Sequence, residues 1–407
     1  MNEFETRKLA IERYLAGEKP INIYESLNRS SSWFFKWLKM YNEQGLCGLK
    51  DKSKKPHHVA NKTDPNIEKL VVNTRKRLMD RNTPSTKYAS AGADTILFEL
   101  QKLDIGTKLP SITTINRIIK HNGLAVSKGK KKFKSKSLPY PEPIADGPNC
   151  VHQFDTIGPR YISGNNGTEK LYMPTLGDVY SKVVKASIST NIQSQTLLNF
   201  LVTNVWSQIG IPKILQTDNT LAIKGSNRHP RTLSHFLRIC LLLQIEVLFI
   251  PIKEPWRNGF IESFNDYYQE LLFGDSLDDG DHASTESDRL LSYYNTEKPH
   301  SGLSVKKHGF RIPQQVHFSH NVNLLPSNSR IFKYIDKDTR VPLEEGKISF
   351  IRFIRSDCKL YIFSEAFDLP ERLKYQYVKA TIMVTENVMN IYCQDKLEEQ
   401  IPYILNK

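Results

Sequence analysis

Residues 254–265, EPWRNGFIESFN, contain the pattern on which the interpretation of the rest of the chain depends. A proline and an Asn-Gly pair precede a run that is typical of the start of a helix. In that run Glu262 lies beside the apolar residues Ile261 and Phe264. A buried helix face usually excludes a carboxylate there, because an unpaired buried charge is costly. Glu262 therefore either faces water or is compensated by a cation.

The size and composition of the chain indicate a soluble protein of several domains. Its 407 residues are 39% hydrophobic and 25% charged, which suits about two to four globular domains. No apolar run approaches the length of a membrane span, and the polar start MNEFETRKLA lacks the apolar stretch of a signal peptide. The five cysteines contain no CxxC pair, which argues against a disulfide framework and favours a cytoplasmic location.

The positive charge is concentrated in the first third of the chain. Residues 1–150 contain 28 Lys and Arg against 15 Asp and Glu, whereas the remaining residues contain 29 against 28. A basic region on a near-neutral body indicates a polyanionic partner, typically nucleic acid. A basic surface that only confers solubility is the alternative.

Two groups of three short helices are predicted before residue 127. The first, in residues 1–50, ends with RSSSWFFKWLKMYNEQG and has the spacing of a helix-turn-helix, although an ordinary helical bundle fits the pattern equally well. A basic linker over 51–63 separates it from a second helical DNA-binding domain over 64–126. The last predicted helix there, SITTINRIIKHNG, leaves five polar residues on its outer face, which could contact DNA or simply be solvated: Thr113, Thr114, Asn116, Arg117 and Lys120.

A second linker over 127–149 is rich first in lysine and then in proline. Six lysines fall in residues 128–136, and such a segment cannot bury enough apolar surface to fold by itself. It either follows a phosphate backbone or is only a flexible tether. The lysines predicted to contact DNA are Lys130, Lys131, Lys132 and Lys134.

The remainder of the chain alternates strands with helices and ends in short strands. Three strands followed by alternating helices and strands over 150–318 predict an α/β core with a mixed sheet. After a linker over 319–339, short strands separated by turns over 340–407 predict a small β-barrel.

Three carboxylates of the α/β region occupy comparable places. Asp155 lies in the first strand, Asp218 ends a later strand and Glu262 starts a helix, and ligands of open α/β sheets gather at such strand ends and helix starts. The three carboxylates would repel one another unless divalent cations such as Mg²⁺ bound between them. The alternative is that the two aspartates are turn or cap residues and the glutamate is solvated.

Four stretches of the core, FDTIG, LQTDN, PWRNGFIESFN and YYNTEKPHSGL (293–303), resemble insertion-sequence transposases of the retroviral-integrase superfamily. Both helical groups and the C-terminal strands also resemble that family, and they follow its order. The resemblance implies a multidomain protein with N-terminal helix-turn-helix units, a central RNase H-like core with a mixed sheet and a small C-terminal β-barrel. It covers nearly the whole chain.

The resemblance also implies the site. Asp155, Asp218 and Glu262 match the Asp-Asp-Glu triad, which would be catalytic and would bind a pair of Mg²⁺ or Mn²⁺ ions. Asn265 matches a polar position about one helical turn later that could face DNA. Asn258 and Gly259 match the Asn-Gly pair that precedes the third acid and would form the turn into the helix. Four further matches are interpreted as positioning or packing residues: Tyr294, Asn295, Pro299 and His300.

The sequence departs from the family pattern at three places. Thr220 stands where a small glycine is common. Between Asp218 and Glu262 lie 43 residues, more than is usual in retroviral integrases, and the polar stretch LAIKGSNRHPRTLSH predicts an inserted loop. The His-His-Cys-Cys zinc unit is absent, since His57 and His58 have no matching cysteine pair, so no structural zinc is expected.

The implied function is transposition. The protein would bind element ends and catalyse metal-dependent cleavage and strand transfer of double-stranded DNA, as a polynucleotidyl transferase. Because two ends must be joined, a homo-oligomer on DNA is expected, with accessory target-selection proteins as a further partner and no membrane. A non-catalytic DNA-binding regulator and a nuclease that cuts without joining are the alternatives.

Overall fold

The computed structural model describes residues 2–52, 63–83, 85–103, 106, 108–125, 138–164, 167–225, 228–336 and 338–406. Lys130, Lys131, Lys132 and Lys134 lie outside these ranges, as do His57 and His58. No helix in the described ranges is both long and apolar enough to cross a membrane. The chain divides into two compact units, Met1–Asp64 and Pro65–Lys407.

The first unit is helical, as predicted. Its core contains the buried side chains of Ala10, Ile23 and Phe34. Ser30 caps the third helix by accepting a 3.2 Å hydrogen bond from the Trp33 N–H, as expected of serine at this position. The helices are α1 (Glu3–Leu15), α2 (Pro20–Ser26) and α3 (Ser31–Gln44), followed by a 3-10 helix, Gly45–Leu49.

The second unit begins with the second predicted group of helices. These are α4 (Pro65–Asp80), α5 (Ala93–Lys102) and α6 (Ile112–His121). Ser111 caps α6 by accepting a 3.3 Å hydrogen bond from the Thr114 N–H. The buried residues of this group, among them Ile96 and Ile115, form one continuous hydrophobic cluster with residues of the following sheet.

A nine-stranded mixed sheet forms the centre of the second unit, in the order β11-β10-β9-β6-β5-β4-β1-β2-β3. β1, β4, β5 and β6 run parallel to one another, and the remaining pairs are antiparallel. The strands are β1 (Val151–Gly164), β2 (Gly167–Asp178), β3 (Val184–Ala186), β4 (Ile214–Thr217), β5 (Glu246–Phe249), β6 (Lys347–Phe353), β7 (Lys359–Ile362), β8 (Glu365–Asp368), β9 (Tyr377–Met383), β10 (Val388–Cys393) and β11 (Lys396–Pro402). The predicted mixed sheet is confirmed.

Helices cover both faces of this sheet. Phe154 and Leu176 contribute to one hydrophobic cluster, whereas Ile157 and Met173 contribute to the other, because successive residues of a strand point to opposite faces. The helices are α7 (Ser194–Asn199), continued by a π-helix (Phe200–Trp206), α8 (Leu221–Lys224), α9 (His235–Leu242), α10 (Gly259–Leu272), α11 (Gly280–Thr296), α12 (Val305–His308) and α13 (Pro313–Phe318), with 3-10 helices at Pro255–Asn258, Arg330–Lys333 and Glu371–Leu373. Buried residues of α10 and α11 lie in the Ile157 cluster, and those of α7 and α9 lie in the Phe154 cluster.

The separate C-terminal β-barrel is not confirmed. β6 pairs in parallel with β5, and β9, β10 and β11 extend the same sheet to its edge. Only β7 and β8 form a sheet of their own, with two strands, among the strands that are described. The five residues Ile348–Arg352 of β6 are buried, as is typical of an interior strand that is covered on both faces.

Candidate active site

Asp155 lies within β1, on the face of the sheet covered by α10. It is largely enclosed, and burial raises its pKa to about 7, with the carboxylates of Glu262 and Asp218 adding to the rise. Asn265 on α10 donates a 2.8 Å hydrogen bond from Nδ2 to the Asp155 Oδ2. Thr175 on β2 in turn donates to the Asn265 Oδ1 at 2.9 Å. The first acid is therefore held by a chain of two neutral side chains.

Asp218 follows the last residue of β4. Its carboxylate accepts hydrogen bonds from the backbone N–H of Thr220 at 3.1 Å and from the Thr220 hydroxyl at 2.7 Å. The residue that departs from the family pattern thus closes the turn after the second acid. The next side chain, Asn219, donates from Nδ2 to the Ile250 carbonyl at 2.8 Å, which anchors this turn to the end of β5.

Glu262 lies in the first turn of α10, where the helix dipole favours negative charge. Partial burial raises its pKa, and the carboxylates of Asp266 and Asp218 raise it further. No hydrogen-bond or ion-pair partner of its side chain is found among the residues that the structure describes. The carboxylates of Glu262 and Asp218 thus contribute to the raised pKa of Asp155, and that of Asp218 contributes to the raised pKa of Glu262.

The three acids are not balanced by a cationic side chain. Across the described ranges, none of the three carboxylates forms an ion pair with lysine or arginine. In the same ranges no group of three or more His, Cys, Asp or Glu side chains is already arranged to hold a metal ion. The donor set nevertheless fits Mg²⁺ or Mn²⁺, because these ions prefer carboxylate oxygens and keep coordinated water. The residues present therefore fit a divalent cation, although the site is not closed around one.

Two buried glutamines position α10, and the sequence interpretation missed both. Gln153, two residues before Asp155, accepts hydrogen bonds at 3.1 Å from the backbone N–H groups of Phe260 and Ile261 through its Oε1. These N–H groups are among those that the start of a helix leaves unpaired. One sequence feature could have indicated both glutamines, since a glutamine stands two residues before each aspartate, in HQFD and LQTD.

Gln216, two residues before Asp218, binds the turn that leads into α10. Its Nε2 donates at 2.9 Å both to the Arg257 carbonyl and to the Asn258 Oδ1. Asn258 also donates to the Phe154 carbonyl at 3.3 Å. Asn258 therefore connects the turn before α10 to both strands that lead to the aspartates.

Residues beyond the predicted core also support the site. Arg352 on β6 donates to the Asn219 Oδ1 at 2.6 Å and to the Ile250 carbonyl at 3.1 Å. Tyr377 on β9 donates to both carboxylate oxygens of Glu254, at 2.8 and 3.0 Å. The C-terminal strands thus contact the segments that precede or follow two of the three acids.

Arg257, in the turn before α10, is enclosed by aromatic rings. Its guanidinium lies 3.8 Å from the ring centroid of Tyr140 and 4.9 Å from that of Tyr377, and it pairs with Glu254 at 3.0 Å. Tyr140 belongs to the proline-rich part of the predicted second linker. That part of the linker therefore packs against the turn that precedes Glu262.

The residues predicted to contact DNA differ in their exposure to solvent. Thr113, Asn116, Arg117 and Lys120 are exposed on α6, and Thr114 is partly exposed. Asn265, by contrast, is only 4% exposed, because its side chain is used by Asp155 and Thr175. The structure thus places Asn265 as a support of the first acid and not on the outer surface.

Of the other implied positions, Asn295 is the one with the most specific contacts. Its side chain accepts a 3.0 Å hydrogen bond from the Val184 N–H and donates a 2.9 Å hydrogen bond to the Val184 carbonyl, which fixes α11 to β3. Tyr294 is buried in the same hydrophobic cluster as α10. Both contacts agree with the positioning and packing roles that the resemblance implied.

A helix-turn-helix-like unit is followed by an α/β core with a mixed sheet, and this arrangement is consistent with a core of the integrase type. Residues 243–306 match the integrase core domain family, and residues 1–50 match the homeodomain-like domain family. The integrase core match contains Glu262 but neither aspartate.

Known proteins agree with this class. The chain is 25% identical over 312 residues, 71% of its length, to the transposase for transposon Tn552 of Staphylococcus aureus, and the match covers 60% of that relative. The chain therefore spans about three fifths of the length of the curated relative that it matches. These findings confirm the resemblance to transposases with an integrase-type core.

Two solved structures are also similar in part. One is the catalytic core domain of HTLV-2 integrase in complex with magnesium (20% identity, TM-score 0.31, 42% of this chain and 97% of that chain). The other is the simian T-cell lymphotropic virus intasome in complex with the PP2A regulatory subunit B56 gamma (16% identity, TM-score 0.36, 75% of this chain and 92% of that chain).

Proposed function

We propose that the chain is a transposase that cuts DNA at the ends of a mobile element and joins them to target DNA. The observation that carries this proposal is the cluster of Asp155, Asp218 and Glu262. The strands that lead to both aspartates hydrogen-bond to the start of α10, which carries Glu262, or to the turn before it. Neighbouring acids of this group help to raise the pKa of Asp155 and of Glu262, and none of the three acids has a cationic partner in the described ranges. Such an arrangement suits a metal-dependent reaction at a phosphodiester.

Divalent cations bound there would lower the pKa of a coordinated water and stabilise the leaving oxygen of an in-line displacement. Asp155, Asp218 and Glu262 would hold these ions. Asn265 and Thr220 orient the two aspartates through neutral hydrogen bonds, which leave the negative charge of the carboxylates available to a cation. Strand cleavage by water and strand transfer by a 3′-OH are the same displacement with different nucleophiles, so one site serves both steps.

DNA binding is assigned to the basic first third of the chain. The homeodomain-like unit and the exposed polar face of α6 would contact the element ends, with the lysines of the second linker along the phosphate backbone. Because two ends must be brought together, we expect the active form to be a homo-oligomer on DNA. Accessory proteins that select the target are a further proposed class of partner.

A strand-transfer assay tests the proposal. The full chain is incubated with Mg²⁺ or Mn²⁺, target DNA and labelled duplexes of the inverted repeats that flank its gene. We expect cleaved and joined products from the native chain and neither from Asp155→Asn, which removes a metal ligand but keeps the side-chain size. Asp266→Asn, an exposed neighbour of Glu262 on α10, is the matched control and should retain activity.

The assay also separates the alternatives. DNA binding without cleavage or joining at any metal concentration would indicate a non-catalytic regulator. Cleavage without joining would indicate a nuclease. The presence of all three acids, with supporting hydrogen bonds on the two aspartates, favours the transposase over the regulator.

A further inference from the structure

A group of basic side chains lies around Phe260, two residues before Glu262 on α10. It consists of Lys182, Lys298 and His300, and we refer to it as the basic cluster. Lys182 lies in the turn after β2, and the other two lie in the segment after α11. All three side chains are partly buried.

The basic cluster is built around α10. The Lys182 Nζ lies 4.6 Å from the ring centroid of Phe260, and the ring of His300 lies 6.1 Å from the same ring. Lys182 and His300 both contact Gly302, where an added Cβ would lie 3.4 Å from the Lys182 Cε and 3.2 Å from the His300 Nδ1. A side chain at position 302 would therefore crowd the space between the two basic groups.

The distance from the basic cluster to the acids follows from the strand register. Phe260 lies two residues before Glu262, and its ring covers Gly177 of β2, where an added Cβ would lie 2.4 Å from a ring carbon. Gly177 is paired with Gln153, two residues before Asp155 on β1. At about 3.3 Å per residue, the ring lies roughly 7 Å along the strand from the level of Asp155.

The ammonium groups of the basic cluster have no direct partner. Among the described residues neither lysine forms an ion pair or donates a hydrogen bond from Nζ. The nearest carboxylates act only at a distance, Asp178 on Lys182 and Asp94 on Lys298, and Asp94 pairs directly with Arg311 at 2.5 Å. Burial lowers the pKa of both lysines, and an anionic ligand in direct contact would favour their charged forms.

His300 offers a hydrogen-bond donor to such an anion. The Gly302 N–H donates to the His300 Nδ1 at 3.0 Å, so the ring carries its proton on Nε2, which has no partner within the described ranges. Lys298 lies over the rings of Tyr267 and Tyr294, at 5.1 and 4.9 Å from their centroids. It therefore contributes charge, whereas Lys182 and His300 have donors free for a ligand.

The backbone of Lys182 is a second, independent observation. Its φ is 66°, in the left-handed region that residues other than glycine, asparagine and aspartate rarely adopt. Such strain costs on the order of 1 kcal/mol or more and is concentrated at functional sites. Here it directs a lysine towards Phe260 and Gly302.

We propose that the basic cluster binds a phosphate of the DNA backbone next to the phosphodiester that the three acids cleave. This proposal rests on the proposed function. Lys182 supplies the main charge, the His300 Nε2–H a directional hydrogen bond and Lys298 additional positive potential. A strand that leaves the acids along the start of α10 meets this cluster at the level of Gln153.

The test measures binding of the full chain to a fluorescently labelled duplex of arbitrary sequence at several salt concentrations. Removing one phosphate contact lowers the slope of log K against log salt by about one. We expect this change in Lys182→Gln, together with weaker binding, and recovery of both in Lys182→Arg. The matched control is Lys185→Gln, because Lys185 is also partly buried but its Nζ donates to the Gln208 Oε1 at 2.6 Å.

The outcomes separate this proposal from the proposed function. Native affinity and salt slope in a folded Lys182→Gln variant would overturn the DNA contact even if the native chain joins DNA. A lowered slope in a chain that neither cleaves nor joins DNA would support the contact and overturn the transposase. If inorganic phosphate stabilises the native chain but not Lys182→Gln and DNA binding is unchanged, the site takes free phosphate, and the DNA assignment is wrong.

Discussion

At the residue scale, the central feature is a buried carboxylate without a cation. Burial and two neighbouring acids disfavour the ionised form of Asp155. In the absence of metal, Asp155→Asn should therefore raise the free energy of unfolding at neutral pH by about 2 to 4 kcal/mol, since each pKa unit corresponds to about 1.4 kcal/mol. Added Mg²⁺ should stabilise the native chain and have little effect on the variant, and thermal unfolding with and without Mg²⁺ measures both effects.

Asp266→Asn is the control for this prediction. Asp266 is exposed on α10 and raises the pKa of Glu262, but it lies outside the proposed metal ligands. The variant should unfold close to the native temperature and retain its stabilisation by Mg²⁺. Equal stabilisation of Asp155→Asn and the native chain by Mg²⁺ would contradict the assignment of Asp155 as a ligand.

The sequence motifs single out the three acids as candidates, but they do not reveal most of the side chains that contact these acids. Asp155, Asp218 and Glu262 stand in recognisable motifs. Gln153 and Gln216, by contrast, are polar residues inside strands, and each forms its hydrogen bond, of 3.1 and 2.9 Å, with a residue more than 40 positions later in the sequence. Local sequence does not determine such distant contacts. The same is true of Asn265. Its position on α10 was predicted from the sequence, but its burial against Asp155 was not.

At the scale of elements, Glu286 on α11 connects the second helical group to the core. It is 5% exposed and accepts hydrogen bonds from Lys87 and Tyr88, which lie between α4 and α5, and from Arg289. Burial alone would raise the pKa of Glu286, but these donors together lower it to about 2. The carboxylate is therefore stabilised in its ionised form.

This connection predicts a pH dependence. A carboxylate with a lowered pKa stabilises the fold above its ordinary pKa of 4.5 and loses that effect as the pH falls towards 2. Glu286→Gln should thus lower the free energy of unfolding at neutral pH by about 1 to 2 kcal/mol, after allowance for solvent screening, and the difference should shrink at about pH 3. Urea unfolding at both pH values measures it.

Glu297→Gln is the matched control for the connection, since Glu297 is an exposed residue at the end of the same helix. Its unfolding should remain within about 0.5 kcal/mol of the native chain at both pH values. A Glu286→Gln variant as stable as this control at neutral pH would show that the second helical group does not depend on the carboxylate.

At the scale of the whole molecule, the sequence predicts helices first and an α/β sheet after them, but it does not predict which strands the C-terminal strands pair with. Short strands separated by turns at the end of a chain fit a small barrel, and nothing local shows that β6 pairs with β5 about 100 residues earlier. The run ISFIRFI (348–354) does contain one indication that β6 is an interior strand. Apart from Ser349 its residues are apolar or large, which is typical of a strand covered on both faces.

This pairing makes the C-terminal strands part of the proposed catalytic unit through Arg352. Burial lowers its pKa to about 10, so it stays charged at neutral pH, and its guanidinium holds both Asn219 and the Ile250 carbonyl. Lysine cannot form this fork of hydrogen bonds. The turn that carries Asp218 should therefore shift in Arg352→Lys, and strand transfer should fall about 10- to 100-fold, while DNA affinity and the unfolding temperature change little.

Arg372→Lys is the control that separates this effect from a general loss of arginine. Arg372 lies in a 3-10 helix of the same C-terminal region, is exposed and pairs with Glu398 at 2.8 Å and with Glu399 at 3.2 Å. Because a surface ion pair contributes little to stability, the replacement of Arg372 by lysine should leave strand transfer at the native level. If Arg352→Lys and Arg372→Lys transfer strands equally well, the C-terminal strands only complete the sheet. If Arg352→Lys alone is impaired at native DNA affinity, they also position the second acid.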